Sequence, residues 1–456
     1  MFNLKTSLIF KISTIIVISL LLMIPTGLIK SLIQERESIQ NEAITEVSSK
    51  WATNQSLIGP MLSIPYDKIV KEFSEKTKTE KLVKVPDFIH ILPSELTIKG
   101  DVHPEKRYRG IYEIVVYTAK IQISGEIPLA ELKSQDIAPE NIHFDKAEFV
   151  IGLSDLRGLE KQVQLKWNNH NINFDPGVTS TQVIKTGIKA PVGLTLNDTL
   201  NHKFLLNIDL KGSQSLYFTP VGKTSDVELN SSWNNPSFNG AFLPDTREIN
   251  QNGFHSHWNV LHLNRNYPQI WVGDRFSIDP SAFGVDLILP VDSYQKSYRS
   301  IHYAILFILF TFLVFFFIEV LNSVFIHPVQ YLLVGIALIV FYTLLLSISE
   351  HLSYNTSFLI SAAGTMLLIG GYVKAILKSN PLTLLLTGIL SILYIFIFVI
   401  IQLQDYALLI GSIGIFLILC IVMYFSRKID WYNLQLGKPT KERHEPSQEI
   451  ETNKRD

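Results

Sequence analysis

Tyr298–His351 reads YRSIHYAILFILFTFLVFFFIEVLNSVFIHPVQYLLVGIALIVFYTLLLSISEH. Two apolar runs, Ile301–Leu321 and Tyr331–Ile348, flank a short polar hinge at Asn322–Gln330. About 20 apolar residues at ~1.5 Å rise each cover the ~30 Å hydrocarbon core of a bilayer. The stretch is therefore a membrane hairpin. Downstream, Phe358–Val373, Leu382–Ile401 and Ala407–Phe425 supply three more spans. Upstream, Ile12–Ile29 supplies one, giving six. The links Ser349–Ser357, Lys374–Pro381 and Gln402–Tyr406 are short, so sequential spans must run antiparallel as neighbours.

The composition agrees. Of 456 residues, 47% are hydrophobic, and the mean hydropathy of +0.22 is too apolar for an ordinary soluble enzyme. The formal net charge is −1, so no global field draws nucleic acid to the chain. One cysteine, Cys420, lies inside an apolar run. No internal disulfide and no cysteine-pair metal site can form.

The first eleven residues carry Lys5 and Lys11 and no acid. Ile12–Ile29 is then either a cleaved signal peptide or an uncleaved anchor. The run is long, and IKSLIQERESIQ beyond it has no A-x-A site, so an anchor is expected. From 31 to 51, Leu32, Ile33, Ile39, Ala43, Ile44 and Val47 recur at helical spacing, which predicts a helix continuing out of the span. Lys and Arg set the orientation. Lys5, Lys11, Lys374, Lys378, Arg427 and Lys428 fall on one side, and the two short loops opposite have neither. Both termini are expected to be cytoplasmic and residues 30–300 outside. Lys30, Lys296 and Arg299 oppose the rule, but they flank a long translocated domain, where it is weaker. Trp431 and Tyr432 suit an interfacial anchor, and residues 426–456 read as a cytoplasmic tail, largely disordered.

Residues 52–300 read as β-rich. Runs at 108–127, 146–156, 163–167, 204–212, 215–220 and 226–233 are short, β-branched or alternating, and broken by turn residues. The expected fold is a polytopic α-helical membrane protein of six spans (residues 1–30 and 301–425). A large, sandwich-like, extracytoplasmic β-rich domain is inserted between spans one and two. Its strands are expected to be antiparallel, in one sandwich or two packed units.

Several stretches resemble the CreD family of bacterial inner-membrane proteins, also called cell envelope integrity proteins. They are GPMLSIPY (59–66), NPSFNGAFLPDTREI (235–249), GFHSHW (253–258), FGVDLILPVDSYQKSYRSIHYAILFI (283–308), HPVQYLLVGIALIVFYTLLLSISEH (327–351) and IDWY (429–432). The resemblance implies an inner-membrane location, a role in envelope integrity, and membership of a stress regulon that responds to β-lactams. It implies no catalytic residues.

The residues themselves carry little chemistry. There is no G-x-S-x-G, H-E-x-x-H, Walker loop or G-x-G-x-x-G, and no catalytic residue or cofactor is expected. GFHSHWNVLHL is the best metal candidate, since His255 and His257 share one face of a strand, with His262 or Asp274 to complete a site. Surface histidines are the plainer alternative. Asp245, Glu248, Asp286 and Asp292 are conceivable acid/base groups, but LPDTRE (243–248) reads first as a turn. In it Asp245 caps local backbone and Arg247 pairs with a carboxylate. Trp233, Phe238, Phe242, Phe254 and Trp258 read as core packing before a glycan or peptide site. Ser361–Gly364, Gly370, Gly371, Gly411 and Gly414 read as helix–helix packing positions.

Ionisable groups in spans are functional hypotheses by default. Glu319 is expected to be held by His327 or by the Gln330–Tyr331 end of the next helix. Glu350 and His351 lie at that helix's far end, where a helix cap is the plainer reading. Three functions compete: a non-enzymatic envelope protein that binds or organises envelope proteins, lipid or glycan; a transporter or ion-coupled machine; and a membrane-tethered enzyme. The bilayer is the one partner fixed by composition. Oligomeric state is not encoded in any feature read here.

Overall fold

A computed structural model describes residues 8–74, 79–130, 132, 137–195, 201–289, 293–322, 324–403 and 406–427. Trp431, Tyr432 and the C-terminal tail lie outside these residues. The chain forms two compact units, one of residues up to Ser38 together with those from 291 onward, the other Ile39–Pro290.

In the first unit, six helices are long and apolar enough to cross a membrane. Helix α1 (Leu8–Trp51) runs unbroken for 44 residues, with Pro25 inside it. The expected second span is present, and a short polar helix precedes it. Ser293–His302 is a separate helix, α2, with Tyr294, Ser297, Ser300 and Ile301 on its buried face. The apolar helix α3 (Ala304–Leu321) starts only after Tyr303. The polar decapeptide SYQKSYRSIH cannot enter hydrocarbon, so the helix breaks where composition changes. Then follow α4 (Pro328–Ser349), α5 (Tyr354–Leu377), α6 (Asn380–Gln402) and α7 (Ala407–Ser426).

Aromatic side chains fill the centre of this bundle. Phe341 of α4 lies 5.3 Å from Phe358 of α5 and 4.9 Å from Tyr394 of α6, and Tyr394 meets Phe307 of α3 at 4.6 Å. Gly335 makes room for α1, since an added Cβ there would fall 2.2 Å from the Leu22 side chain. The small residues expected to serve packing divide. Gly414 is filled by Phe396 and Gly370 lies against Thr387, whereas Gly364, Gly371 and Gly411 have no neighbour within 4 Å of an added Cβ.

The second unit is all β apart from the end of α1 and short 3-10 turns. Its first strands are β1 (Gln55–Ser74), β2 (Thr79–Ile91), β3 (Glu95–Arg109), β4 (Tyr112–Ile127), β5 (Glu148–Leu153), β6 (Gln164–Trp167), β7 (His170–Asn173), β8 (Asp175–Pro176) and β9 (Gly187–Pro191). There follow β10 (His202–Ser213), β11 (Ser215–Phe218), β12 (Thr224–Ser231), β13 (Pro236–Gly240), β14 (Thr246–Asn250), β15 (Gly253–Leu261), β16 (Ile270–Val272) and β17 (Phe283–Leu287).

A nine-stranded sheet runs β13-β17-β11-β1-β5-β9-β8, with β2 on β1 and β16 on β2. An eight-stranded sheet runs β14-β15-β12-β3-β4-β10-β6-β7. The buried side chains of both form one core, so there is a single sandwich. It is not wholly antiparallel. β1 pairs with β11, and β3 with β12, in parallel. Parallel neighbours need a long crossover, here supplied by intervening strands of both sheets.

The entry of α1 into this unit is pinned by one carboxylate. Asp155, 8% exposed, accepts from Thr53 N at 3.0 Å and Thr53 Oγ1 at 3.2 Å. It also takes Arg157 Nε at 2.9 Å and Nη2 at 2.8 Å. Arg157 in turn donates to Ser49 O, one of the carbonyls left open at the helix C-terminus. The Arg157 guanidinium and these hydrogen bonds hold the Asp155 carboxyl well below its usual range. Asp155→Ala strands several donors at once, and is expected to cost ~2–4 kcal/mol in the β unit. Urea unfolding of the full-length protein followed by tryptophan fluorescence checks this; a loss under 0.5 kcal/mol, the ordinary surface range, would remove Asp155 from the anchor.

His90, 1% exposed, meets Ser63 Oγ at 3.0 Å and packs 5.5 Å from Trp271. Burial pushes its imidazole down from 6.5 to about 4. The unfolded chain then binds more protons between these values, so stability falls as pH drops from 6.5 toward 4. Asp155, also held below its usual range, by Arg157 and its hydrogen bonds, loses its contribution only on further acidification. Melting temperatures between pH 7 and 4.5 should decline in the wild type and flatten in His90→Gln.

Candidate functional site

The polar residues expected at the α3–α4 hairpin converge. Glu319 sits in the last turn of α3 and is fully buried. Its Oε2 accepts from Tyr331 Oη at 2.9 Å, and Oε1 from Ile326 N at 3.1 Å. Sequence reasoning missed the third partner. Lys11 Nζ of α1 lies 2.8 Å from Oε1, and both side chains are nearly inaccessible. Lys11 also donates to Ile326 O and sits 4.9 Å from the ring centroid of Phe325 and 5.1 Å from that of Tyr331.

This arrangement answers a requirement of the hinge. Ile326 is fully buried, so both its backbone groups need partners inside the protein. Glu319 takes its N–H and Lys11 its C=O. The helix dipole does not favour Glu319 where it lies, in the last turn of α3. Each charge is held by the other.

His327 does not reach Glu319 in the way expected. It is the N-cap of α4, its Nδ1 accepting from Val329 N at 3.3 Å, while Gln330 Oε1 accepts from His327 N at 2.9 Å. Pro328 occupies the first helical position, where its missing N–H costs nothing. The stretch HPVQY thus divides its work: four residues start the helix and Tyr331 holds Glu319.

Glu350 is the C-cap at the opposite end of α4. It accepts from Tyr294 Oη of α2 at 3.2 Å and lies 3.7 Å from Arg36 Nε of α1. His351 beside it is exposed. Beside each end of α4 a carboxylate therefore meets a cation on α1, Glu319 of α3 with Lys11 and Glu350 with Arg36. Lys11 and Arg36 are separated by ~38 Å of helix, close to the ~40–45 Å of a bilayer with its headgroups.

The β-unit candidates are placed differently. His255 and His257 share one face of β15, but His255 Nδ1 is 2.7 Å from Asn230 Oδ1, and His257 Nε2 is 2.7 Å from Asp226 Oδ2. His262 lies beyond the strand in a 3-10 turn. Among the described residues no three His, Cys, Asp or Glu side chains gather as a metal site. Asp245 caps backbone across the sheet, accepting from Asn259 N at 2.6 Å, rather than within its own turn. β14 starts at Thr246, so the expected turn is half strand. Arg247 is exposed and makes no ion pair among the described residues. Asp286 lies in the other sheet from Glu248, bound by Tyr217 Oη at 3.0 Å and Asn239 Nδ2 at 2.6 Å. Asp292 lies outside the described residues. Trp258, Phe238 and Phe254 are core, with the Trp258 ring tilted against Phe283 of the facing sheet at 5.4 Å.

Glu319→Leu leaves Lys11 and the Ile326 N–H without their acceptor, and is expected to cost ~3–5 kcal/mol. Glu319→Gln should cost less, because the amide still accepts from Ile326 and reaches Tyr331. Lys11→Met with Glu319→Leu should cost clearly less than the two single changes added. Thermal unfolding in nanodiscs measures this cycle; strict additivity would mean that the charges do not hold each other.

The whole chain can be compared with known proteins. Residues 7–432 match the family described as "Inner membrane protein CreD". The Escherichia coli (strain K12) protein of that name is 31% identical over 443 residues, covering 95% of this chain and 96% of the relative. With six membrane-spanning helices, a large β unit between the first and second, and a match across nearly its full length, the chain belongs to the CreD family of inner membrane proteins.

Proposed function

We propose that this protein is a non-enzymatic inner-membrane component that supports envelope integrity and tolerance of envelope stress. In this role residues 30–300 face the periplasm, both termini are cytoplasmic, and the β unit binds or organises envelope components. The observation that carries the proposal is architectural. A single two-sheet core of about 250 residues is inserted between α1 and α2. That is a large folded surface for a chain whose bundle is closed by paired charges. The buried Lys11–Glu319 pair supports the same choice over transport, because it lies at helix ends and is neutral as a pair.

Topology is tested by alkaline phosphatase fusions. Fusion after Lys120 should be active, and fusion after Lys378 inactive. Activity at Lys378 would overturn the orientation. The role is tested in cells lacking the protein and challenged with a β-lactam. The full chain should restore survival, and a chain with α1 joined directly to α2 should insert without restoring it. Full rescue by the spans alone would place the function in the bundle instead.

A further inference from the structure

Lys30, Lys296 and Arg299 lie at the boundary of the bundle where charge asymmetry disfavours them. One of them lines a recess and another stands beside it. A hollow of about 360 Å³ between α1 and α2 is lined by Gln34, Glu37, Gln295, Tyr298 and Arg299. Lys30 Nζ lies over the Tyr298 ring, 5.1 Å from its centroid, and 3.5 Å from His302 Nε2. The Nε of Arg299 is buried and has no hydrogen-bond partner among the described residues. An orphaned donor on a cation is costly, and it points to an acceptor supplied from outside the chain.

The depth of the recess identifies the source. Gln34 lies five residues beyond the apolar run of α1, and Arg299 five before that of α3, each ~7.5 Å of helix past the hydrocarbon edge. A headgroup layer is ~5–7 Å deep on each side. The charges identify the chemistry. Arg299 and Lys30 suit a phosphodiester, guanidinium being the better fork for its oxygens. Glu37, on the same wall, suits a primary ammonium one linker away.

We propose that this recess binds the headgroup of a zwitterionic phospholipid, phosphate on Arg299 and Lys30 and ammonium on Glu37. The inference concerns the bundle alone. It does not depend on which side of the membrane the β unit occupies, so its failure would leave the proposed function standing, and the reverse.

The test uses the full chain, purified in detergent and titrated with phosphatidylethanolamine or phosphatidylglycerol while retained lipid is counted by native mass spectrometry. The wild type should retain phosphatidylethanolamine about tenfold better, one charge-assisted bond's worth. Arg299→Ala should weaken both lipids, and Glu37→Gln should abolish only the preference. Gln34→Trp, at an exposed position, should fill the recess and exclude both without loss of melting temperature. Arg427→Ala, on α7's C-cap, should change nothing. Undiminished retention in a folded Gln34→Trp protein would overturn the site even if Arg299→Ala fails to fold. Equal displacement by water-soluble glycerophosphoethanolamine would overturn the lipid in favour of a free phosphate ester.

Discussion

The buried contact between Lys11 and Glu319 is the constraint on which the membrane unit rests. A hinge that turns inside the hydrocarbon edge cannot leave backbone groups bare. Ile326 solves this by giving its N–H to a carboxylate and its C=O to an ammonium. Neither charge is tolerable alone at that depth, and Glu319 lies at the helix end where the dipole opposes it. Together they bind the first helix of the chain to the turn between the second and third spans. The Tyr331 hydroxyl and the rings of Phe325 and Tyr331 complete the shell. The function of the pair is therefore to fix a topology, as a polar core residue fixes register in a coiled coil.

The same logic recurs wherever α1 needs a partner. Arg36 meets Glu350 beyond the other end of the hydrocarbon. Within the β unit, Glu46 takes Arg109 of the β3–β4 hairpin at 3.1 Å, and Trp51 lies under Arg107 at 5.0 Å. Asp155 then receives the chain as the helix ends. These contacts differ in strength. Glu46 and Arg109 are largely exposed and contribute little. Lys11–Glu319 and Asp155–Thr53 are buried and carry most of the specificity.

Much of this was legible in the sequence, and the failures have physical causes. The spans were visible because hydrocarbon thickness demands ~20 apolar residues in a row. Strands such as β10 and β12 were visible because one face is buried and alternation survives. β1 was legible only as the start of an extended region, because Gly59, Pro60 and Pro65 in WATNQSLIGPMLSIPY blur any alternation; a register shift between Ile58 and Met61 accommodates Gly59 and Pro60. Trp233 to Trp258 read as core before ligand platform, and the facing Phe283 agrees for Trp258. Glu319 could be seen to need a partner from its depth, and Tyr331 was within one helical hinge of it. Lys11 was hidden because local rules already gave it a role as a cytoplasmic flanking charge. No periodicity links the two ends of a chain.

That blind spot is general for charges at membrane boundaries. The positive-inside bias treats a lysine as a free charge counted by side. A paired lysine is not free, and its position is fixed by its carboxylate. In the expected orientation Lys11 obeys the bias, yet its geometry owes as much to Glu319. In that orientation Lys30 and Arg299 break it; Lys30 lies over the Tyr298 ring and 3.5 Å from His302 Nε2, whereas the buried Nε of Arg299 has no partner among the described residues. The difference between Lys11 and Arg299 is the presence of a partner within the protein. Charges that satisfy each other hold the fold, and a charge left partly unsatisfied at headgroup depth selects what surrounds the protein.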